Sequence, residues 1–343
     1  MQPRALKFSR VAIASVAHVD APHRVTSAQL EQQFAHTLRR LRLPSNMLEG
    51  LSGIKARRFW GPQTQPSDAA TMAAQAALEQ AGIDPARVGL VINTSVCRDY
   101  VEPSVACLVH GNLGLSPACM NFDVANACLG FLNGMEIAGN MIERGQVDVA
   151  LVVDGESSRY VVEQTIARLA ADSCTQQTLR DNFATLTLGS GAAAMVLVRA
   201  DLSPSRHRFV GSITMSATEH NHLCRGQNDH MSTDSTQLLK AGVTLAGQTW
   251  AHARQQLGWA PGGMHEFVMH QVSKVHTEHL SGVLGIDRSR VLAIYPEYGN
   301  VGPASVPIVL SKSMQAGRLG PGHRIALMGI GSGLNCTMAE IIW

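Results

Sequence analysis

The sequence predicts an α/β protein in which one layered unit is written twice, a duplicated five-layer α-β-α-β-α sandwich. Three observations carry this. Unbroken apolar, β-branched runs alternate with amphipathic stretches, the pattern of sheets covered on both faces. The segment around "ERGQVDVALVVDGES" (143–157) is answered by "AGRLGPGHRIALMGIGSG" (316–333), each lying between a helix and a closing strand. No G-x-G-x-x-G follows the first strand, which argues against a flat dinucleotide-binding fold.

Taken in order, Val11–Ala17 is a first strand. Lys7 and Arg10 precede it like the start of a signal peptide, but the apolar part is too short, and His18 and Asp20 interrupt it. Ser67 is the predicted cap of an Ala-rich helix, Asp68–Gln80, which stops at Gly82. In the first half, strands are expected at Val88–Thr94, Val147–Asp154 and Ala192–Arg199, with a helix from Cys128 to about Arg144. A seam at Asp201-Leu-Ser-Pro-Ser divides the chain into halves 1–201 and 202–343. In the second half the spacing predicts a long helix over Thr233–Leu257 and a strand at Glu266–Val272. A helix from about Ala304 to Ala316 follows, then strands at Arg324–Gly329 and Asn335–Trp343.

Composition narrows the function. A net charge of +2 and the lack of a Lys/Arg run give no footing for nucleic acid. No apolar stretch approaches the roughly 20 residues that cross a bilayer. The seven cysteines are odd in number and form no C-x-x-C pair, which points to free thiols in a reducing cytoplasm. His220, His222, Cys224 and His230 are read as a polar loop, since no acidic partner or second cysteine pair completes a zinc site, and no metal is expected.

Cys128 is the candidate nucleophile. It lies in FDVANACLGF (122–131), where a β-like run turns into a helix, so unpaired N–H groups and the helix dipole should favour its thiolate. If the halves are related by a twofold, the second-half helix after Asn300 should face the Cys128 helix. His270, at the end of EFVMHQ, should open into the same cleft. Cys128, His270 and Asn300 then converge. A thiolate forms a thioester. A neutral imidazole N–H and an amide N–H stabilise an enolate without supplying acid. The Gly329–Leu334 loop, with Gly331, Ser332 and Gly333, offers backbone N–H groups beside that of Cys128 as an oxyanion hole, or is only a tight turn between strands. His276 and His279 are read as a solvated helix face. Cys97 and Cys107 are read as packing residues, and Met135 and Met141 as core.

With these residues in place, the chain resembles the thiolase superfamily, and within it the ketoacyl synthase III group. The likeness rests on FDVANACLGF, VMHQVSK around His270, GNVGPASVPIVLS around Asn300, GIGSGLNC, and GIKARRFW at 53–60, and covers essentially the whole chain. It implies a thiolase-like fold, a Cys128–His270–Asn300 triad and a homodimer. Cys336 lies where thiolases carry a second catalytic cysteine, but within the closing strand, and is read as structural.

Glu102 departs from the group, which carries a bulky apolar residue just before the Pro that here is Pro103. The resemblance implies that this loop enters the partner's active site. A carboxylate there can remove an α-proton, whereas a decarboxylating synthase needs no base; an ion pair with Arg98 is the alternative use. In this the chain is similar to the branch that condenses two acyl-CoAs head to head in bacterial olefin biosynthesis.

The expected activity is therefore a non-decarboxylative Claisen condensation of two long-chain acyl-CoAs to a 2-alkyl-3-keto acid. Coenzyme A thioesters serve as substrates, no cofactor is expected, and downstream olefin-pathway enzymes are the implied partners. The alternatives are a decarboxylating synthase using malonyl-carrier protein, and a non-catalytic homologue that binds within an assembly line.

Overall fold

The computed structural model describes residues 3–203 and 205–343, so Pro204 at the expected seam lies outside the described residues, as do Met1 and Gln2. The first half contributes β1 (Val11–Asp20), α1 (Pro66–Ala81), β2 (Leu90–Asn93), β3 (Met120–Asp123), α2 (Gly130–Glu143), β4 (Val149–Glu156) and β5 (Gly191–Arg199). The second contributes β6 (Arg208–Ser216), α3 (Ser235–Gln256), β7 (Glu266–Met269), α4 (Lys274–Leu284), α5 (Ser305–Gln315), β8 (Arg324–Gly331) and β9 (Asn335–Ile342).

Hydrogen-bonded neighbours run β7-β8-β9-β6-β1-β5-β4-β2-β3. Outward from the middle, each half shows its first strand, its last, its next-to-last and its second, with matching parallel and antiparallel pairings. The first half adds β3 as an outer edge. Among the described residues the two sheets are joined by a single antiparallel pairing, Ala12 with Arg208.

Side-chain alternation along the strands sets the layers, because successive residues face opposite sides of a sheet. Leu90, Ile92 and Val152 point to a central core, as do Ile325, Leu327 and Ile341 from the other sheet. Between them lie α2 and α5, contributing Leu132, Met135 and Ile308. Val91, Leu151 and Val153 point outward to the alanines of α1. Phe267, Ala326 and Met328 point outward to Leu245 and Trp250 of α3 and Leu280 of α4. This is the predicted sequence α-β-α-β-α.

Boundaries shift where local chemistry differs from the sequence expectation. Helix α1 begins at Pro66, capped reciprocally by Gln65 and Asp68, while the Ser67 backbone and hydroxyl bind Asp99. Helix α3 starts after Asp234, whose carboxylate accepts from the Gln237 N–H; Thr233 belongs to a small ribbon, Cys224–Gly226 with Met231–Thr233, inside the supposed polar loop. A cap was not anticipated. Helices within 27–52 and 159–182 close over the site around Leu30, Phe34, Leu38, Val162 and Leu169.

Candidate active site

Cys128 stands on an elbow between β3 and α2. Ala127 before it holds φ +44°, left-handed for a residue with a side chain, and Leu129 N–H bonds the Asn126 carbonyl at 3.0 Å. The helix begins at Gly130, so the cysteine precedes the N-cap position rather than occupying the first turn. Glycine is required there: a Cβ on Gly130 would lie 2.5 Å from the Thr94 carbonyl oxygen. Close approach to β2 is what aims the elbow into the cavity.

That cavity, of about 1300 Å³, is lined by Cys128, His270, Asn300, Gly331 and Ser332 together. His270 follows β7 directly, its N–H held by the Met328 carbonyl at 2.8 Å, and it is 2% exposed. Burial first, and then the neighbouring His276, lower its pKa to about 3, so the ring is neutral as expected. Asn300 is clamped by its backbone: its N–H donates to Thr187 and its carbonyl accepts from Gly189, at 2.9 and 2.8 Å. Its Oδ1 accepts from the Gly302 N–H at 3.0 Å, which leaves the amide N–H groups as what the side chain can offer a ligand.

The glycine loop is the tight turn between β8 and β9 and also meets the elbow. A Cβ on Gly331 would lie 3.3 Å from the Cys128 nitrogen. Gly333, with φ +130°, is not among the lining residues, whereas Ile330, Gly331, Ser332 and Leu334 are. Glu102 does not line the cavity of its own chain either. It is exposed, on a loop that also exposes Val96, Tyr100 and Val101, and it forms no ion pair with Arg98 among the described residues.

The thiol departs from expectation. Burial first, then Glu156, Cys224 and Asp154, push Cys128 up to about 12, opposite to the direction expected from a helix terminus. Asp154 and Glu156 project from one side of β4, and burial raises both carboxyls, Asp154 well above its usual range. Asp154 Oδ2 accepts from the Thr94 hydroxyl, and Glu156 Oε1 accepts from the Val96 N–H at 2.6 Å. Two carboxylates two residues apart at the end of an apolar strand were a visible signal that the sequence reading passed over.

His276 is a second missed residue. It lines the cavity, its ring centroid 6.5 Å from that of His270, and burial followed by the nearby His279 lowers it to about 4; only His279 is exposed. Cys97 and Cys224 line the cavity rather than packing or binding elsewhere, and Cys107 is exposed. Cys336 is buried in β9, away from the cavity lining, and burial pushes it up to about 12. Met135 is core, as expected.

A cysteine, a buried imidazole and a carboxamide lining one cavity on two matched α/β halves define a condensing-enzyme fold. The chain belongs to the 3-oxoacyl-[acyl-carrier-protein] synthase III family, whose models match residues 122–217 and, for its C-terminal part, 255–343. It is 53% identical to the acyl-CoA:acyl-CoA alkyltransferase of Xanthomonas campestris, over 98% of this chain and 99% of that one. It is 38% identical to the protein of the same name from Shewanella oneidensis, over 98% and 100%. The crystal structure of cerulenin-bound Xanthomonas campestris OleA superposes with a TM-score of 0.97 at 52% identity, covering 98% of each chain. A structure of the same protein with bound lauric acid and lauroyl-CoA gives 0.96 at 52%, over 98% of this chain and all of that one.

Proposed function

We propose that this enzyme joins two long-chain acyl-CoA thioesters by a non-decarboxylative Claisen condensation, giving a 2-alkyl-3-keto acid for olefin formation. The observation that carries the reading is the single cavity holding Cys128, His270 and Asn300, larger than the roughly 300–1,000 Å³ of an ordinary ligand pocket. The names of the Xanthomonas and Shewanella relatives favour a second acyl-CoA over a malonyl-carrier protein as the other substrate.

Cys128 sulfur attacks the first thioester carbonyl, and CoA leaves carrying the thiol proton. The N–H groups of Cys128 and the Gly331–Ser332 turn hold the oxyanion. A second acyl-CoA loses an α-proton to the Glu102 carboxylate, and N–H groups of His270 and Asn300 hold its enolate oxygen. The enolate carbon attacks the acyl-cysteine and expels the Cys128 thiolate, which regains its proton from Glu102, and hydrolysis of the remaining thioester releases CoA and the acid. The condensation is redox-neutral overall, so coenzyme A thioesters suffice without a redox cofactor.

Glu102 is exposed beside apolar Tyr100 and Val101, the latter 84% exposed, which supports a homodimer in which this loop reaches the partner's cavity. The free thiols support a cytoplasmic enzyme that passes its product to olefin-pathway partners. The repeated strand order supports two halves, 1–201 carrying the nucleophile and 202–343 carrying the histidine and asparagine. Among the described residues no helix is long and apolar enough to cross a membrane.

Purified protein fed one acyl-CoA, with products weighed by mass spectrometry, tests the reading. A 2-alkyl-3-keto acid is expected, and Cys128→Ala should abolish it. Glu102→Ala should still acylate Cys128 yet not condense. Extension only when malonyl-carrier protein is supplied, with CO₂ released, would replace this reading by the decarboxylating one.

A further inference from the structure

We propose that Asn335, Asn126, Asn133 and Glu136 form a one-way hydrogen-bond relay that fixes the glycine turn against the Cys128 elbow, making them positioning residues for acylation. This rests on the reading of Cys128 as the acylated nucleophile. Ser216 Oγ donates to Asn335 Oδ1 at 2.6 Å, and Asn335 Nδ2 donates to Asn126 Oδ1 at 3.3 Å. Asn126 Nδ2 donates to Asn133 Oδ1 at 2.7 Å, and Asn133 Nδ2 donates to Glu136 Oε2 at 2.9 Å. Ser212 Oγ donates to Glu136 Oε1 at 2.6 Å, and Thr214 Oγ1 joins it at 3.3 Å. Ser212 and Ser216 lie on one face of β6, so the relay closes into a ring between α2 and strands β6 and β9.

The direction is dictated by chemistry. A carboxylate only accepts, so Asn133 must present its NH₂ to Glu136 and its oxygen to Asn126. Asn126 must then present its NH₂ to Asn133 and its oxygen to Asn335, and Asn335 its oxygen to the Ser216 hydroxyl. One acid thus orients three amides, and each bond polarises the next.

The two ends of the relay meet at the nucleophile. Asn126 lies two residues before Cys128, and the intervening Ala127 holds a positive φ that costs on the order of 1–3 kcal/mol unless its surroundings enforce it. Asn335 pairs with Gly331 across the turn, and Gly331 lies against the Cys128 nitrogen. The Asn335–Asn126 bond therefore sets the spacing between the two backbone groups proposed to bind the oxyanion. Among these side chains Asn126 alone lines the cavity, and the others act through the elbow and the turn.

The test is the rate at which intact protein gains an acyl group at Cys128, measured against acyl-CoA concentration. Asn133→Asp sets a second carboxylate against Glu136 and removes the donor between them. The saturating acylation rate should fall about 10²-fold while the half-saturating concentration stays unchanged, as for a displaced oxyanion donor. Glu136→Gln alone keeps one acceptor oxygen but can also donate, so it loosens the direction of the relay and should lower the saturating rate, by less than Asn133→Asp does. Combined with Asn133→Asp, it supplies the missing N–H and should restore most of the rate. A single Asn133→Asp variant as fast as wild type, or a double variant no faster than the single with equal melting temperature, overturns the relay. If Asn133→Asp does not melt cooperatively, Asn335→Ser, which removes the bond to Asn126, must show the same loss in saturating rate or the proposal fails. Wild-type protein that takes up no acyl group would instead overturn the assignment of Cys128.

Discussion

At the scale of single residues, burial overrules the local cues on which the nucleophile was first judged. A cysteine before a helix suggests a thiolate, yet desolvation, with Glu156 next, pushes Cys128 up to about 12. Type and position were legible because FDVANACLGF marks a strand turning into a helix; the electrostatics were not, because Asp154, Glu156 and Cys224 come from distant segments. The buried histidines give a signed prediction. The pKa of His276 is about 4 when folded and 6.5 when free, so between those values the unfolded chain binds more proton. Its contribution is complete above pH 6.5 and is lost as pH falls toward 4. Replacing it by His276→Asn should reduce the stability lost between pH 7 and pH 5 by about 2 kcal/mol, read from denaturant midpoints. Equal losses in both proteins would show that the ring is solvated when folded.

At the scale of elements, the strands and central helices were predictable because long apolar runs and glycine stops survive in the sequence without help from neighbours. Their ends moved by a few residues where a cap competed: Gln65 with Asp68 displaced Ser67, and Asp234 displaced Thr233. The short helices over the cavity were missed, since their apolar residues meet only in three dimensions, as Leu30 and Phe34 meet Val162 and Leu169. Glycines record the tightest contacts. Gly155 in β4 faces α1 so closely that a Cβ would lie 2.1 Å from the Pro66 carbonyl oxygen and 2.8 Å from the Ala70 nitrogen. Gly155→Ala should therefore destabilise the protein by about 3 kcal/mol, an overpacking cost that thermal melting would reveal. A melting temperature equal to wild type would mean that α1 can withdraw from the sheet.

At the scale of the whole molecule, the repeated order of strands explains why residues at 128, 270 and 300 share a cavity, and the echo of the two halves made that convergence predictable. Glu102 is different. Its chemistry was legible from the residue before Pro103, but a single chain leaves it on the surface, because its proposed destination is in another copy. Mixed dimers provide the check. Co-expressing Cys128→Ala with Glu102→Ala subunits should yield about a quarter of wild-type activity, since each mixed pair assembles one complete site and half of random pairs are mixed. No activity from the mixture would require Glu102 to serve its own chain, and about half of wild-type activity would mean that it takes no part.

The layer shared by α2 and α5 has a consequence for how the chain could be divided. Each of these helices is covered on one flank by its own sheet and on the other by the sheet of the opposite half. A fragment cut at the seam would present a long greasy flank to water, with nothing of its own to shield it. Separately expressed pieces should therefore clump unless they meet, and regain solubility only as a reconstituted pair.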